Sequence, residues 1–159
     1  MRIAIIGNSG SGKSTLARML AKGEVPVLDL DTIVWEPNQI AVARDRAVVL
    51  ADLHAFCSLH TTWIIEGCYA FCAEAALAYD PELIWLDPGL DACLANCKNR
   101  AWEPHKYASM ADQDSKLEFL LDWVAGYYER NDDMSQHAHR TLFDSYDGPK
   151  RHLTVLPKV

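Results

Sequence analysis

Residues 7–15, GNSGSGKST, follow the apolar run IAII at residues 3–6 and open into a run of helix formers at residues 14–22. The stretch fits the Walker A pattern G-x-x-x-x-G-K-[ST] at every fixed place, with Gly7, Gly12, Lys13 and Ser14. Glycines let the backbone curl so that successive amides point inward at phosphate oxygens. A helix starting near Lys13 adds the positive end of its dipole at the same spot. The Lys13 ammonium suits the β and γ phosphates of a nucleoside triphosphate, and the Ser14 hydroxyl suits one Mg²⁺ position. Gly7, Asn8, Ser9, Gly10, Ser11, Gly12, Lys13, Ser14 and Thr15 are the expected nucleotide-binding residues. A functionless glycine-rich turn is the alternative, and the order strand, loop, helix argues against it.

Outward from this loop, strands and helices alternate. Strands are expected at residues 3–6, 25–31 (VPVLDLD), 62–66 (TWIIE), 82–87 (ELIWLD) and 153–156. Helices are expected at 14–22, 41–59, 69–79, 90–98 and 135–146, with a further stripe of Leu117, Leu120, Leu121, Val124, Tyr127 and Tyr128. Residues 32–38 read as irregular. Residues 99–115 are polar, contain Pro104, and read as a mobile excursion. The alternation predicts a single α/β domain over residues 1–159, with a five-stranded parallel sheet covered by helices on both faces.

The chain has 159 residues, enough for one domain to bury a full core, and half of them are hydrophobic, as in an ordinary soluble protein. The formal net charge is −7, which disfavours a nucleic-acid backbone as partner. No apolar run is long enough to cross a bilayer, and the apolar part of MRIAIIGN is too short for a signal peptide. Five cysteines without disulfide-scaffold spacing fit a reducing compartment, so a cytoplasmic protein is expected. Cys68 and Cys72, like Cys93 and Cys97, stand four apart, a spacing that suits buried small residues better than zinc. His137 and His139 read as solvent-facing.

Ligands of a doubly wound sheet sit at the carboxyl ends of its strands. Here those ends carry Asp29 and Asp31, then Glu66 before Gly67, then Asp87. Residues two apart in a strand project to one face, which would aim both Asp29 and Asp31 into the cleft.

These features resemble the small P-loop kinases of the adenylate-kinase and shikimate-kinase type. The likeness rests on MRIAIIGNSGSGKSTLA, VLDLDTIVW, WIIEG and LIWLDPGLDACLANCKNR, and covers about residues 1–100. It is nearest a branch of short proteins described as adenylate-kinase-like or topology-modulation-related. The resemblance implies a three-layer P-loop fold with the second and third strands on one side of the first. It implies ATP as donor and a lid, for which residues 99–115 are the candidate. It places Glu66 where a Walker-B-type acid holds Mg²⁺ through water, and sets Asp29 and Asp31 beside the paired aspartates of shikimate kinases. Asp29 would then neighbour Mg²⁺ and Asp31 would take the proton of an acceptor hydroxyl. Trp35 and Gly67 would line the acceptor, Trp35 as an aromatic wall or else a core-edge residue. Lys98 and Arg100 fall at the base of the lid, where an arginine can neutralise the transferring phosphoryl group. Related kinases often carry a second arginine four residues earlier; Asn96 stands there, leaving Arg130 or Arg140 to supply the charge. The adenine loop would be residues 147–151.

The expected activity is transfer of the γ-phosphoryl group of ATP, with Mg²⁺, to a small hydroxyl or nucleotide acceptor. Lys13, Asp31 and Arg100 would be catalytic, and Ser14, Asp29 and Glu66 would hold the metal. The alternative is a nucleotide-responsive ATPase without an acceptor. No Asn-Lys-x-Asp stretch is present, which disfavours a GTPase.

Overall fold

The computed structural model describes residues 1–37 and 42–158. Strands β1 (Arg2–Ile6), β2 (Val27–Asp29), β3 (Trp63–Gly67), β4 (Glu82–Leu86) and β5 (Lys150–Leu153) form a parallel sheet in the order β2-β3-β1-β4-β5. The helices are α1 (Lys13–Ala21), α2 (Asp31–Val34), α3 (Arg46–Leu59), α4 (Ala70–Ala76), α5 (Leu90–Lys98), α6 (Met110–Ser115), α7 (Leu117–Ala125) and α8 (Gln136–Ser145). Short 3-10 turns, Leu77–Tyr79 and Gly126–Tyr128, extend α4 and α7.

The central strands feed two cores because their side chains alternate across the sheet. Ile3 and Ile5 of β1 pack with Leu16, Ala17 and Ala21 of α1 on one face. Ala4 and Ile6 join Leu53 of α3 and Cys72, Ala73 and Ala76 of α4 on the other. In β4, Leu83 and Trp85 take that second face, while Ile84 and Leu86 take the first. This is the three-layer, five-stranded parallel arrangement expected from the sequence, with β3 and β2 on one side of β1.

Four elements depart from expectation. The second strand stops at Asp29 instead of running to residue 31, because the Asp29 carboxylate accepts the Asp31 amide at 2.9 Å and turns the chain into α2. The last strand is Lys150–Leu153 rather than 153–156. Residues 99–115 are not featureless: they hold α6, whose cap Ser109 accepts the Asp112 amide at 3.0 Å. The helix expected from residue 41 begins at Arg46, capped by Asp45; residues 38 and 41, which bounded two expected segments, lie outside the described residues.

Candidate functional site

β1 ends at the loop of residues 7–12, and α1 begins at Lys13. Gly10 (φ 77°) and Gly12 (φ 99°) adopt left-handed backbone that favours glycine. At Gly10 a side chain would also strike α5: an added Cβ would collide with the Cys93 carbonyl and lie 2.7 Å from Cys97 Sγ. The loop is held from outside by two amide side chains. Asn8 Nδ2 donates to the Val124 carbonyl of α7 at 3.1 Å, and Asn96 Nδ2 of α5 donates to the Gly10 carbonyl at 2.8 Å. Asn96, where the family pattern has an arginine, thus ties down the loop.

Lys13 is buried, and its Nζ donates to the Asn8 carbonyl at 2.8 Å. Ser14 Oγ donates to Glu66 Oε1 at 2.7 Å. Glu66 is buried at the end of β3, and burial pushes its carboxyl up against the pull of nearby Lys13. Ser11 Oγ, also buried, has no hydrogen-bond partner among the described residues. Thr15 is exposed and accepts from Arg18 Nη2 at 3.4 Å. A cleft of about 170 Å³ opens beside these groups, lined by Ser14, Arg18, Val27, Asp29, Glu66, Glu103 and His105.

Asp29 lines this cleft, and Asp31 follows it through the turn between β2 and α2, not through the pleat of one strand. Tyr69 donates its hydroxyl proton to Asp31 Oδ1 and accepts the Trp35 indole N–H at 2.8 Å. Lys106, from the segment expected to be a lid, places Nζ 2.6 Å from Asp31 Oδ2 and 3.7 Å from Asp29 Oδ2. Burial raises the Asp31 carboxyl, but Lys106, Tyr69 and Lys13 outweigh it and hold the group below the usual carboxylate range. Burial likewise opposes charge on Lys106, and Asp31 and Asp29 overcome it and push the ammonium upward. Sequence reading missed Tyr69 and Lys106. Tyr69 lay at a helix start, and Lys106 lies 75 positions beyond Asp31 in a polar stretch, with no local pattern linking them.

Gly67 packs against Leu30, whose Cβ would stand 2.8 Å from a Cβ added there. That close approach accounts for the glycine at this position. Arg100 Nη1 sits 3.4 Å from Glu103 Oε2, and Glu103 Oε1 lies 3.8 Å from Lys106 Nζ. Of the two substitute arginines, Arg130 is engaged elsewhere and Arg140 is exposed. Arg130 is bound to Asp132 at 2.7 Å and lies 3.6 Å from the Trp123 ring centroid, while Arg140 lies 5.2 Å from that of Trp85. Asp87 accepts the Tyr128 hydroxyl at 2.7 Å.

Residues 147–151 lie at the wrong end of the sheet for adenine. Lys150 pairs with Leu83 and Leu153 with Leu86, so the segment before β5 faces away from the phosphate loop. The residues after β5 reach it instead: Leu156 would be 3.5 Å from a Cβ on Gly12. His139 is also a correction. It is fully buried, with Nε2 2.6 Å from the Cys68 carbonyl and Nδ1 2.8 Å from the Tyr127 hydroxyl. A carbonyl only accepts, so Nε2 carries the proton and Tyr127 donates to Nδ1. Trp85 Nε1 donates to Tyr127 in turn at 3.0 Å.

The donor set fits Mg²⁺ with part of its water shell retained: the Ser14 hydroxyl and Glu66 carboxylate adjoin, and Asp29 lines the same cleft. Among the described residues, no three His, Cys, Asp or Glu side chains form an all-protein metal cage.

The family model described as ABC transporter matches residues 1–142. No curated protein matches the chain. Three of the solved structures that share its fold illustrate the likeness. A sugar kinase from a Janibacter species aligns with TM-score 0.56 and 16% identity, over 96% of this chain and 83% of that one. Shikimate kinase from Aquifex aeolicus aligns with TM-score 0.50 and 20% identity, over 96% and 85%. YorR protein from Bacillus subtilis, in complex with phosphorylated GDP, aligns with TM-score 0.51 and 10% identity, over 96% and 84%.

Proposed function

The chain belongs to the ABC transporter family of P-loop NTPases, and within that nucleotide-binding frame we propose that it is an ATP-dependent, Mg²⁺-requiring phosphotransferase acting on a small hydroxyl or nucleotide acceptor. The observation that carries this reading is the second pocket wall. A phosphate loop needs none, yet here Asp29 lines the cleft with Ser14 and Glu66, and Lys106 joins it to Asp31, which Tyr69 holds.

In this reading the loop amides of residues 8–14 and Lys13 hold the triphosphate. Ser14, Glu66 and Asp29 would hold Mg²⁺, which when bound would supply positive charge to the phosphoryl oxygens. Arg100 approaches the transferring group from the base of the lid once it leaves Glu103. Asp31 Oδ2 accepts the proton of an alcohol acceptor, whose oxygen then forms a bond to the γ-phosphorus as the bond to the leaving ADP oxygen breaks. A phosphate acceptor needs no such base.

The family match favours one second reading, an ATPase whose hydrolysis acts on a partner instead of an acceptor. ADP formation measured across alcohols, sugars, nucleosides and nucleotides separates the two. Acceptor-dependent ADP that disappears in Lys13→Ala supports the transferase. A slow hydrolysis rate that no acceptor changes favours the ATPase.

A further inference from the structure

Both oxygens of the Asp31 carboxylate are taken. Oδ1 accepts the Tyr69 hydroxyl, and Oδ2 faces the Lys106 ammonium at 2.6 Å. The second contact bridges two parts of the chain, since Lys106 belongs to the excursion after α5 while Asp31 opens α2. The same ammonium reaches Asp29 at 3.7 Å and Glu103 at 3.8 Å, and Glu103 in turn engages Arg100 at 3.4 Å. The two cations of the excursion are therefore held by carboxylates, one of them the group assigned to the acceptor proton. An entering alcohol has to take Oδ2 from Lys106. Water, small and singly held, competes poorly for a carboxylate oxygen already bound to an ammonium and half-buried.

The geometry points to Lys106 as a specificity-determining latch that occupies Asp31 in the absence of acceptor and so selects the acceptor over water. The inference rests on the transferase reading for its reaction, though not for the latch itself. The reaction it suppresses is hydrolysis. A water oxygen bonds to the γ-phosphorus, its proton passes to Asp31 Oδ2, and the bond to the β-phosphate bridging oxygen breaks to give ADP and inorganic phosphate. Glu103 braces the latch, since it lies 3.8 Å from Lys106 and 3.4 Å from Arg100.

The test compares wild type, Lys106→Met, Lys106→Arg and Asp31→Asn by two measurements. The first is hydrogen exchange of the backbone amides of residues 101–109 in the nucleotide-free protein. The second is ADP release from Mg²⁺-ATP without acceptor. Exchange is expected to quicken about tenfold in Lys106→Met and Asp31→Asn and to return toward wild type in Lys106→Arg. Acceptor-free hydrolysis is expected to rise at least about tenfold in Lys106→Met, within the range that a positioned base contributes, and not in Asp31→Asn. Unchanged exchange in Lys106→Met overturns the proposal, and so does a loosened segment with flat hydrolysis. Should no acceptor ever stimulate the wild-type protein, the transferase reading falls, while the exchange arm still decides whether the latch exists.

Discussion

Single atoms decide the chemistry of this cleft, and Tyr69 shows how. Its hydroxyl is the donor to Asp31 and the acceptor for the Trp35 indole. Tyr69→Phe removes both bonds with little change in volume and leaves a partly buried indole N–H unpaired. It is expected to cost about 1–2 kcal/mol in urea unfolding and to lower kcat more than KM, because Asp31 loses its fixed rotamer. A rise in KM alone would show that Tyr69 acts on binding instead. Gly10 makes a different kind of prediction. Its left-handed backbone and its contact with the Cys93 carbonyl leave no room for a methyl group. Gly10→Ala should lower stability by about 1–3 kcal/mol, with the phosphate loop and α5 disturbed together. The loop glycines are legible in sequence because their job is local: a tight turn against a helix start. Lys106 and Tyr69 are not, because each meets Asp31 only after distant segments pack, and nothing in their own neighbourhoods records it.

At the scale of elements, the helix α8 is tied to the carboxyl end of the sheet by a buried imidazole. His139 links Tyr127 to the Cys68 carbonyl, just beyond the Glu66-Gly67 end of β3. Burial pushes this imidazole down to about 4 from its ordinary 6.5. Above pH 6.5 the folded and unfolded forms are both neutral there, and the group adds no pH dependence. Below it the unfolded chain takes up a proton that the folded form refuses. Stability should then fall by about 1.4 kcal/mol per pH unit from this residue until about pH 4, where the folded form protonates too. Urea titrations between those values measure the slope, and His139→Gln should remove it. An unchanged slope in the variant would assign the loss to other groups. Its sequence neighbourhood pointed to solvent because His137 and His139 flank an alanine in a polar stretch. The buried face of α8 was set by Leu142 and by the fit of His139 between β3 and the turn after α7. The same distinction runs through the other elements. Strands β1, β3 and β4 were legible because each is a continuous apolar run buried on both faces, whereas the end of β2 was decided by a side chain–backbone bond at Asp29 that hydrophobic pattern does not encode.

On the scale of the whole molecule, the nucleotide site is assembled from parts far apart in the chain. The loop after β1 is pinned by Asn96 of α5 and by the Val124 carbonyl of α7, backed by Glu66 of β3, and approached by Leu156 after β5. A ligand bound there contacts or braces most of the sheet's carboxyl edge, and it binds the folded form alone. Mass action then requires Mg²⁺-ATP to stabilise the entire fold, by about 2.7 kcal/mol at a hundred times its Kd. The melting temperature should rise with nucleotide concentration in a single cooperative transition. Lys13→Ala should abolish the rise while leaving the unliganded melt close to wild type, since the Lys13 ammonium makes only one bond to the Asn8 carbonyl in the free protein. Chelating the metal should shrink the rise, because Ser14, Glu66 and Asp29, proposed above to hold it, then face the phosphates without it. A melt that splits into two steps would mean that the excursion carrying Lys106 unfolds by itself, and that nucleotide acts on it separately from the sheet.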